Sequence, residues 1–195
     1  MSRPASSRWS VTLAVWLAAC GAVEPDPGAD QDQGESEASE DSSATTGELE
    51  SLIDHTLWAS VEADDDPLAD HRPDEITCTV AGWFLENETL EINTNYCNYL
   101  AIGQPSLVAV EQGRKIELGF YHFNLVAPEP ALAHLAILLD GALLWEQEIE
   151  IPGAAMVYLV EFEAPFSAPA GSPLILHLHN HGQNTWALQS LSAEQ

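Results

Sequence analysis

The stretch that decides the fold is "AHLAILLDGALLWEQEIEI", residues 133–151. Two runs rich in Leu, Ile and Ala flank Asp140-Gly141, and each run has the length of one strand. Asp and Gly both tolerate the positive φ angles that a tight two-residue hairpin turn requires. The stretch therefore predicts two antiparallel strands joined at residues 140 and 141.

Similar short runs recur along the chain, separated by Pro, Gly, Asn and Asp, and no long stretch keeps a helical period. The further predicted strands are "TLWASVE" (56–62), "SLVAV" (106–110), "KIELGFYHF" (115–123), "AAMVYLVEFEA" (154–164), "PLILHLH" (173–179) and "TWALQSL" (185–191). Strands at this spacing predict an all-β protein, an antiparallel β-sandwich of the jelly-roll type.

The N-terminus reads "MSRPASSRWSVTLAVWLAAC", with Arg3 and Arg8 ahead of a mostly apolar run over residues 9–19. A membrane-spanning helix needs about 20 apolar residues, so this run is too short to cross a bilayer. Basic residues followed by a short apolar run are typical of a secretory signal peptide. We therefore expect residues 1–19 to be a cleaved signal peptide.

The signal ends in "LAAC" (residues 17–20), which resembles the lipobox of bacterial lipoproteins. The resemblance implies that Cys20 carries acyl chains such as palmitate, and several chains on one residue hold a protein stably to a bilayer. Gly21 follows the cysteine, where lipoproteins of the inner membrane often carry Asp, so the resemblance favours the outer membrane. The expected location is the cell envelope, with the protein anchored by lipid.

Residues 20–50 predict a disordered acidic linker that follows the lipidated cysteine. From residue 21 to residue 50 the sequence has ten acids, no Lys or Arg and no aromatic side chain. Such a composition buries too little apolar surface to offset the entropy of an ordered chain. Residues 51–195 then form the single folded domain.

The folded domain is strongly acidic, with Arg72, Arg114 and Lys115 as its only Lys or Arg residues. Nucleic acid is therefore an unsuitable partner, because it binds to clustered Lys and Arg. A glycan or another envelope protein remains as the expected partner. With Cys20 lipidated, an exported chain retains Cys78 and Cys97, which predicts a disulfide between them.

The last 85 residues or so resemble galactose-binding-like jelly rolls, the fold of many carbohydrate-binding modules. The resemblance rests on the order of a strand, Asp140-Gly141, a strand containing "LLWE", a turn with proline and a final "GQNTWALQSL". It implies the fold and indicates little about function, because no site of that family matches residue by residue.

The sequence "HLHNHGQNTW" (177–186) raises the possibility of a metal site. On an extended strand His177, His179 and His181 share one face, and imidazole binds Zn and Cu. Same-face neighbours lie about 6.5–7 Å apart, so we expect two of the three to bind together with His122 or His134. Two alternatives stay open: a polar sheet face with hydrogen-bonded histidines, and a ligand-binding surface.

The same segment also contains the groups that usually bind sugars. Trp186 offers an aromatic platform, and Asn180, Gln183 and Asn184 offer amide donors and acceptors. We therefore expect these four residues to bind a carbohydrate, although a tryptophan in a β-sandwich is also a common core residue.

An acidic run at Asp64, Asp65 and Asp66 is followed by Asp70 and Asp74, and it offers the oxygen ligands that calcium prefers. The spacing differs from that of an EF-hand, so a solvated surface loop is the expectation. The sequence has neither a nucleophile elbow nor a phosphate-binding glycine loop. It therefore predicts no catalytic residues.

Overall fold

The computed structural model describes residues 47–179 and 182–195, and this part of the chain is almost entirely strand. Three single 3-10 turns lie at His55–Leu57, Ala63–Asp65 and Ala69–His71. The strands are β1 (Leu49–Ser51), β2 (Ala59–Ser60), β3 (Trp83–Glu86), β4 (Thr89–Asn93), β5 (Tyr99–Pro105), β6 (Lys115–His122), β7 (Ala131–Leu139), β8 (Ala142–Ile151), β9 (Met156–Glu163), β10 (Pro173–His179) and β11 (Thr185–Glu194).

The strands form two antiparallel sheets. The six-stranded sheet has the order β3-β4-β11-β6-β9, with β1 also paired to β11, and the five-stranded sheet has the order β2-β5-β10-β7-β8. The eight longest strands thus lie as β4-β11-β6-β9 and β5-β10-β7-β8, which is the strand order of a jelly roll. The predicted fold class is confirmed.

The core lies between the inner faces of the two sheets. Along β10, Leu174, Leu176 and Leu178 are buried in it, at every second position, as the period of a strand requires. From the opposite sheet Phe120 and Trp186 fill the core with nearly parallel rings. Each fully buried large apolar side chain of this kind contributes about 1.5–3 kcal/mol, so this layer is the main stabilising feature of the domain.

The hairpin predicted at residues 140 and 141 is confirmed. Strands β7 and β8 pair directly across it, and Asp140 and Gly141 have φ angles of +54° and +76°. A second tight hairpin, between β3 and β4, turns at Asn87 and Glu88 with φ angles of +50° and +62°. Sequence reasoning missed it because its turn contains no glycine.

Two predicted strands differ in the structure: residues 56–62 keep only the two-residue β2, after a 3-10 turn at His55–Leu57, and residues 106–110 form no strand. In the second segment only Val110 forms an isolated bridge, and the amide groups of Ser106, Leu107 and Val110 donate to the carbonyls of Ser172, Leu52 and Ala168, which do not lie on one strand. A strand needs consecutive partners on one neighbour, so the segment is a loop despite its β-forming composition.

The predicted disulfide between Cys78 and Cys97 is confirmed. It ties the loop before β3 to the start of β5, and Cys97 is buried at the edge of the core. The bridge therefore fixes a region that has short strands and long connections.

The N-terminal edge of the domain starts slightly earlier than residue 51. Strand β1 begins at Leu49 and pairs with β11, and the amide of Gly47 donates to the Glu194 carboxylate at 2.9 Å. The predicted signal peptide, Cys20 and most of the predicted linker lie outside the described residues. Within residues 47–179 and 182–195, no helix is long and apolar enough to cross a membrane.

Candidate functional site

The outer face of the five-stranded sheet is covered by residues 61–72, which we call the covering segment. Val61 and Leu68 of this segment pack on Ala136, Leu138 and Ile175, which point away from the main core. A second, smaller apolar layer thus forms on this side of the sheet. Side chains at outward positions of β5, β7 and β10 are therefore buried where a strand pattern alone would predict exposure.

A buried ion pair holds the covering segment in place. The Asp66 carboxylate accepts hydrogen bonds from the Arg72 guanidinium (Nε to Oδ2, 2.8 Å), from the Tyr99 hydroxyl and from the Leu68 amide (2.9 Å). Burial alone would raise the pKa of Asp66, but these hydrogen bonds outweigh it and lower the pKa below its ordinary value. The expectation of a solvated loop is therefore wrong for Asp66, because strand β5 supplies a buried partner.

Beside this ion pair, three histidines from three separate elements come together. His71 ends the last 3-10 turn, His134 lies on β7 and His177 lies on β10. Their ring centroids are 5.0 Å (71 to 134), 5.4 Å (71 to 177) and 5.2 Å (134 to 177) apart. One nitrogen of each ring lies within 4.8 Å of the corresponding nitrogen of the other two. We call these residues the histidine cluster.

His177 is the most buried member of the cluster, with 0% of its surface exposed. Within the described part of the chain, neither of its ring nitrogens has a hydrogen-bond partner. Burial, followed by the charge of His134, lowers the pKa of His177 to about 3. The imidazole is therefore neutral near pH 7, with an acceptor lone pair available on one nitrogen.

His134 is oriented by a carboxylate on the neighbouring strand. Its Nε2 lies 2.9 Å from Oε2 of Glu146, while its Nδ1 is buried and has no hydrogen-bond partner among the described residues. If Nε2 carries the proton, it donates to Glu146 and leaves Nδ1 with a free lone pair. The imidazole then presents Nδ1 as an acceptor.

The other histidines chosen from sequence have different surroundings. His179 lies on the same outward face as His177, as the strand period predicts, with its ring 5.9 Å from that of Tyr99. His122 is buried in the opposite sheet, where its Nδ1 lies 2.8 Å from the Phe123 carbonyl oxygen. It is the cross-strand neighbour of Trp186 in that sheet and lies outside the cluster, so the structure does not bring it together with the other proposed metal ligands. His181 lies outside the described residues.

Sequence reasoning missed His71. It stands in the acidic covering segment, and only the folding of this segment over the sheet brings it to β7 and β10. No spacing in the sequence points to this contact, because His71 and His177 are separated by most of the domain.

Two of the four residues chosen as a sugar site, Trp186 and Asn184, are buried. Trp186 is fully buried, so it offers no platform to a sugar, and that interpretation is wrong. The side chain of Asn184 is also buried, and its Oδ1 accepts from the Val126 amide at 2.6 Å. Gln183 is exposed, and Asn180 lies outside the described residues.

The outer face of the six-stranded sheet, which we call the open face, has different side chains. One row of side chains crosses this face from strand to strand. In order from β3 to β9 it contains Phe84, Glu91, Ala187, Tyr121 and Val157, each paired with the next. Neighbouring strands lie about 4.8 Å apart, so the two aromatic residues are about 14 Å apart across the small Ala187.

Apolar and acidic groups surround this row. Phe123 lies edge-on to Tyr121 with ring centroids 5.7 Å apart, and Leu159 is 81% exposed. Burial, followed by a hydrogen bond with Glu86, raises the pKa of Glu91. The open face thus combines aromatic rings, aliphatic groups and carboxylates, while Ala187 in the middle of the row is 1% exposed.

Comparisons with known proteins yield fold similarity only. No protein-family model matches the chain, and no curated protein matches it. A solved structure described as "CBM4 structure and function" has a TM-score of 0.44 and 12% identity, over 71% of this chain and 86% of that one. "Family 16 Carbohydrate Binding Module-2" has a TM-score of 0.36 and 9% identity, over 62% and 85%.

A third structure, of TmCBM61 in complex with beta-1,4-galactotriose, has a TM-score of 0.35 and 7% identity, over 77% of this chain and 89% of that one. At identities this low, the similarity concerns the β-sandwich fold alone.

Proposed function

We propose that the folded domain binds carbohydrate and that the open face is its binding surface. The observation that carries this proposal is the row from Phe84 to Val157, in which two aromatic residues flank Glu91 and Ala187. Sugar rings have apolar C–H faces that stack on aromatic rings and hydroxyl groups that donate to carboxylates. Ala187 itself is 1% exposed, so the proposed contacts are made by Phe84, Glu91 and Tyr121.

The acidity of the protein limits which glycans fit. The chain has 31 acidic and only five basic residues. Anionic polysaccharides would be repelled, since the open face includes Glu86, Glu91, Glu117 and Glu161 and few cations. Neutral glycans with free hydroxyl groups are therefore the proposed ligand class.

The proposal also includes the anchor. Cys20, in its lipobox-like context, carries the acyl chains, and the acidic residues that follow separate the binding domain from the surface of the membrane. The proposed location is the outer membrane of a bacterial envelope. Metabolic labelling with palmitate tests this part: the wild-type chain should take up label, and Cys20→Ala should not.

The binding proposal is tested by a glycan array and by binding to insoluble envelope polysaccharides, using the full chain in mild detergent. For any glycan that binds, Tyr121→Ala should weaken the affinity about tenfold, which corresponds to about 1.4 kcal/mol. Tyr96→Ala is the matched control, because Tyr96 is 49% exposed but lies outside the row. Equal affinities for the two variants would contradict the proposed surface.

A further inference from the structure

We infer that the histidine cluster, His71, His134 and His177, binds one divalent transition-metal ion between the covering segment and the five-stranded sheet. This site is on the opposite side of the sandwich from the open face. It is independent of the proposed carbohydrate binding, so either inference can fail without the other.

The arrangement of the three rings fits a single ion. Three imidazoles on one tetrahedral ion, at a metal–nitrogen distance of about 2.0–2.1 Å, place their ring centroids about 5 Å apart. The centroids in the cluster are 5.0, 5.2 and 5.4 Å apart, which makes a nearly equilateral triangle. Small side-chain rotations bring nitrogens that already lie within 4.8 Å of one another to a common ion.

The buried nitrogens of the cluster lack the partners that such groups normally have. His177 is completely buried with both ring nitrogens unpartnered in the described part of the chain, and Nδ1 of His134 is in the same state. A buried polar group left without a hydrogen bond costs about 1–3 kcal/mol. A bound cation would accept lone pairs from both rings and remove much of this cost.

Groups around the cluster also orient the proposed ligands. The hydrogen bond between Glu146 and Nε2 of His134 is the carboxylate–histidine arrangement that commonly fixes the tautomer of a metal ligand. Arg72, next to His71 in the chain, is held by Asp66 and by the carbonyl of Val61. Asp66 and the Leu68 carbonyl in turn accept hydrogen bonds from the Tyr99 hydroxyl on β5, so the 3-10 turn that carries His71 is fixed against the sheet.

The donor set indicates the class of ion. Neutral imidazole favours Zn²⁺, Cu²⁺ and Ni²⁺, whereas Ca²⁺ and Mg²⁺ prefer oxygen ligands. Three protein ligands leave a fourth position on a tetrahedral ion for water or another donor. His71 is exposed, so an ion reaches the buried His177 from the solvent side of the covering segment.

The test is calorimetric titration of Zn²⁺ into the full chain, purified without a polyhistidine tag, stripped with a chelator and kept in 5 mM Ca²⁺ to occupy weak carboxylate sites. We expect one Zn²⁺ per chain. His71→Ala should weaken binding at least about 100-fold, and Glu146→Gln about 10- to 100-fold, the range typical for a residue that orients a ligand. Circular dichroism will verify that each variant is folded.

The control variant is His55→Ala, since His55 also lies in a 3-10 turn but outside the cluster. It should bind Zn²⁺ as tightly as the wild type. The inference is overturned if the wild-type chain binds no Zn²⁺ under these conditions. It is also overturned if folded His71→Ala retains wild-type affinity, or if His55→Ala loses as much affinity as His71→Ala.

Discussion

The two outer faces of the sandwich differ in what lies over them. On the open face, Val157 and Leu159 are 63% and 81% exposed on strand β9. On the opposite side of the molecule, His177 occupies an equally outward strand position and is 0% exposed, because residues 61–72 lie over it. Strand alternation therefore determines the direction of a side chain, but only the connections determine its burial.

Among the variants considered, Asp66→Asn should lower the free energy of unfolding most, because it breaks the buried ion pair that holds the covering segment on the sheet. Removing one partner of such a pair typically costs about 3 kcal/mol or more, because the other charge is left uncompensated. We expect a decrease of that size in the free energy of unfolding, measured with urea. The control is Glu111→Gln, whose pair with Arg114 is exposed at 3.7 Å and should contribute less than about 1 kcal/mol.

The same pair should make the covering segment sensitive to acid. The folded-state pKa of Asp66 is lowered, so its stabilising contribution is present above the ordinary pKa near 3.8 and is lost as the pH falls through the lowered value. Urea unfolding of the wild type between pH 5 and pH 3 should show this loss. In Asp66→Asn the corresponding part of the pH dependence should be missing, and identical pH profiles would contradict the assignment.

A smaller effect is expected from Trp186→Phe in the core beneath the open face. The smaller ring leaves a cavity beside Phe120, and we expect a loss of about 1–3 kcal/mol in the free energy of unfolding. Carbohydrate affinity should be unchanged, because the Trp186 side chain has no exposed surface. If Trp186→Phe had normal stability but reduced affinity for carbohydrate, this result would contradict the assignment of Trp186 to the core and would support its role as a binding platform.

The smallest effect on stability should come from Leu159→Ser on the open face. Leu159 is 81% exposed, so its replacement removes little buried surface and should change the free energy of unfolding by no more than about 0.5 kcal/mol. Thermal and urea unfolding measure this directly. A loss of 2 kcal/mol would mean that the open face is covered in solution, for example by another copy of the chain.

Much of the fold could be predicted from local sequence chemistry. The turn at Asp140-Gly141 and the alternation of Leu and His in β10 both depend on neighbours in the chain, and both are confirmed. The disulfide followed from the number of cysteines that remain after Cys20. The hairpin at Asn87 and Glu88 was missed because Glu88, unlike Asn87, rarely adopts the positive φ angle that the turn requires.

The candidate sites were less predictable because they depend on contacts between distant segments. His177 and His134 were both among the proposed metal ligands and lie close together, but His71 joins them only because the covering segment folds over the sheet. Trp186 was chosen for its chemistry, yet its position on β11 directs it into the core beside its cross-strand neighbour His122. The row on the open face takes one residue from each of five strands. Which residues lie side by side depends on the register of the strand pairs, which the sequence alone does not give.

The measurement that tests the central claim most directly is an NMR titration of the isotope-labelled full chain with a neutral glycan that binds it. We expect the largest amide shifts at Phe84, Glu91, Ala187 and Tyr121, in the row on the open face. The proposal would be contradicted if the shifts clustered instead around the covering segment. It would also be contradicted if no neutral envelope glycan shifted any amide of the open face.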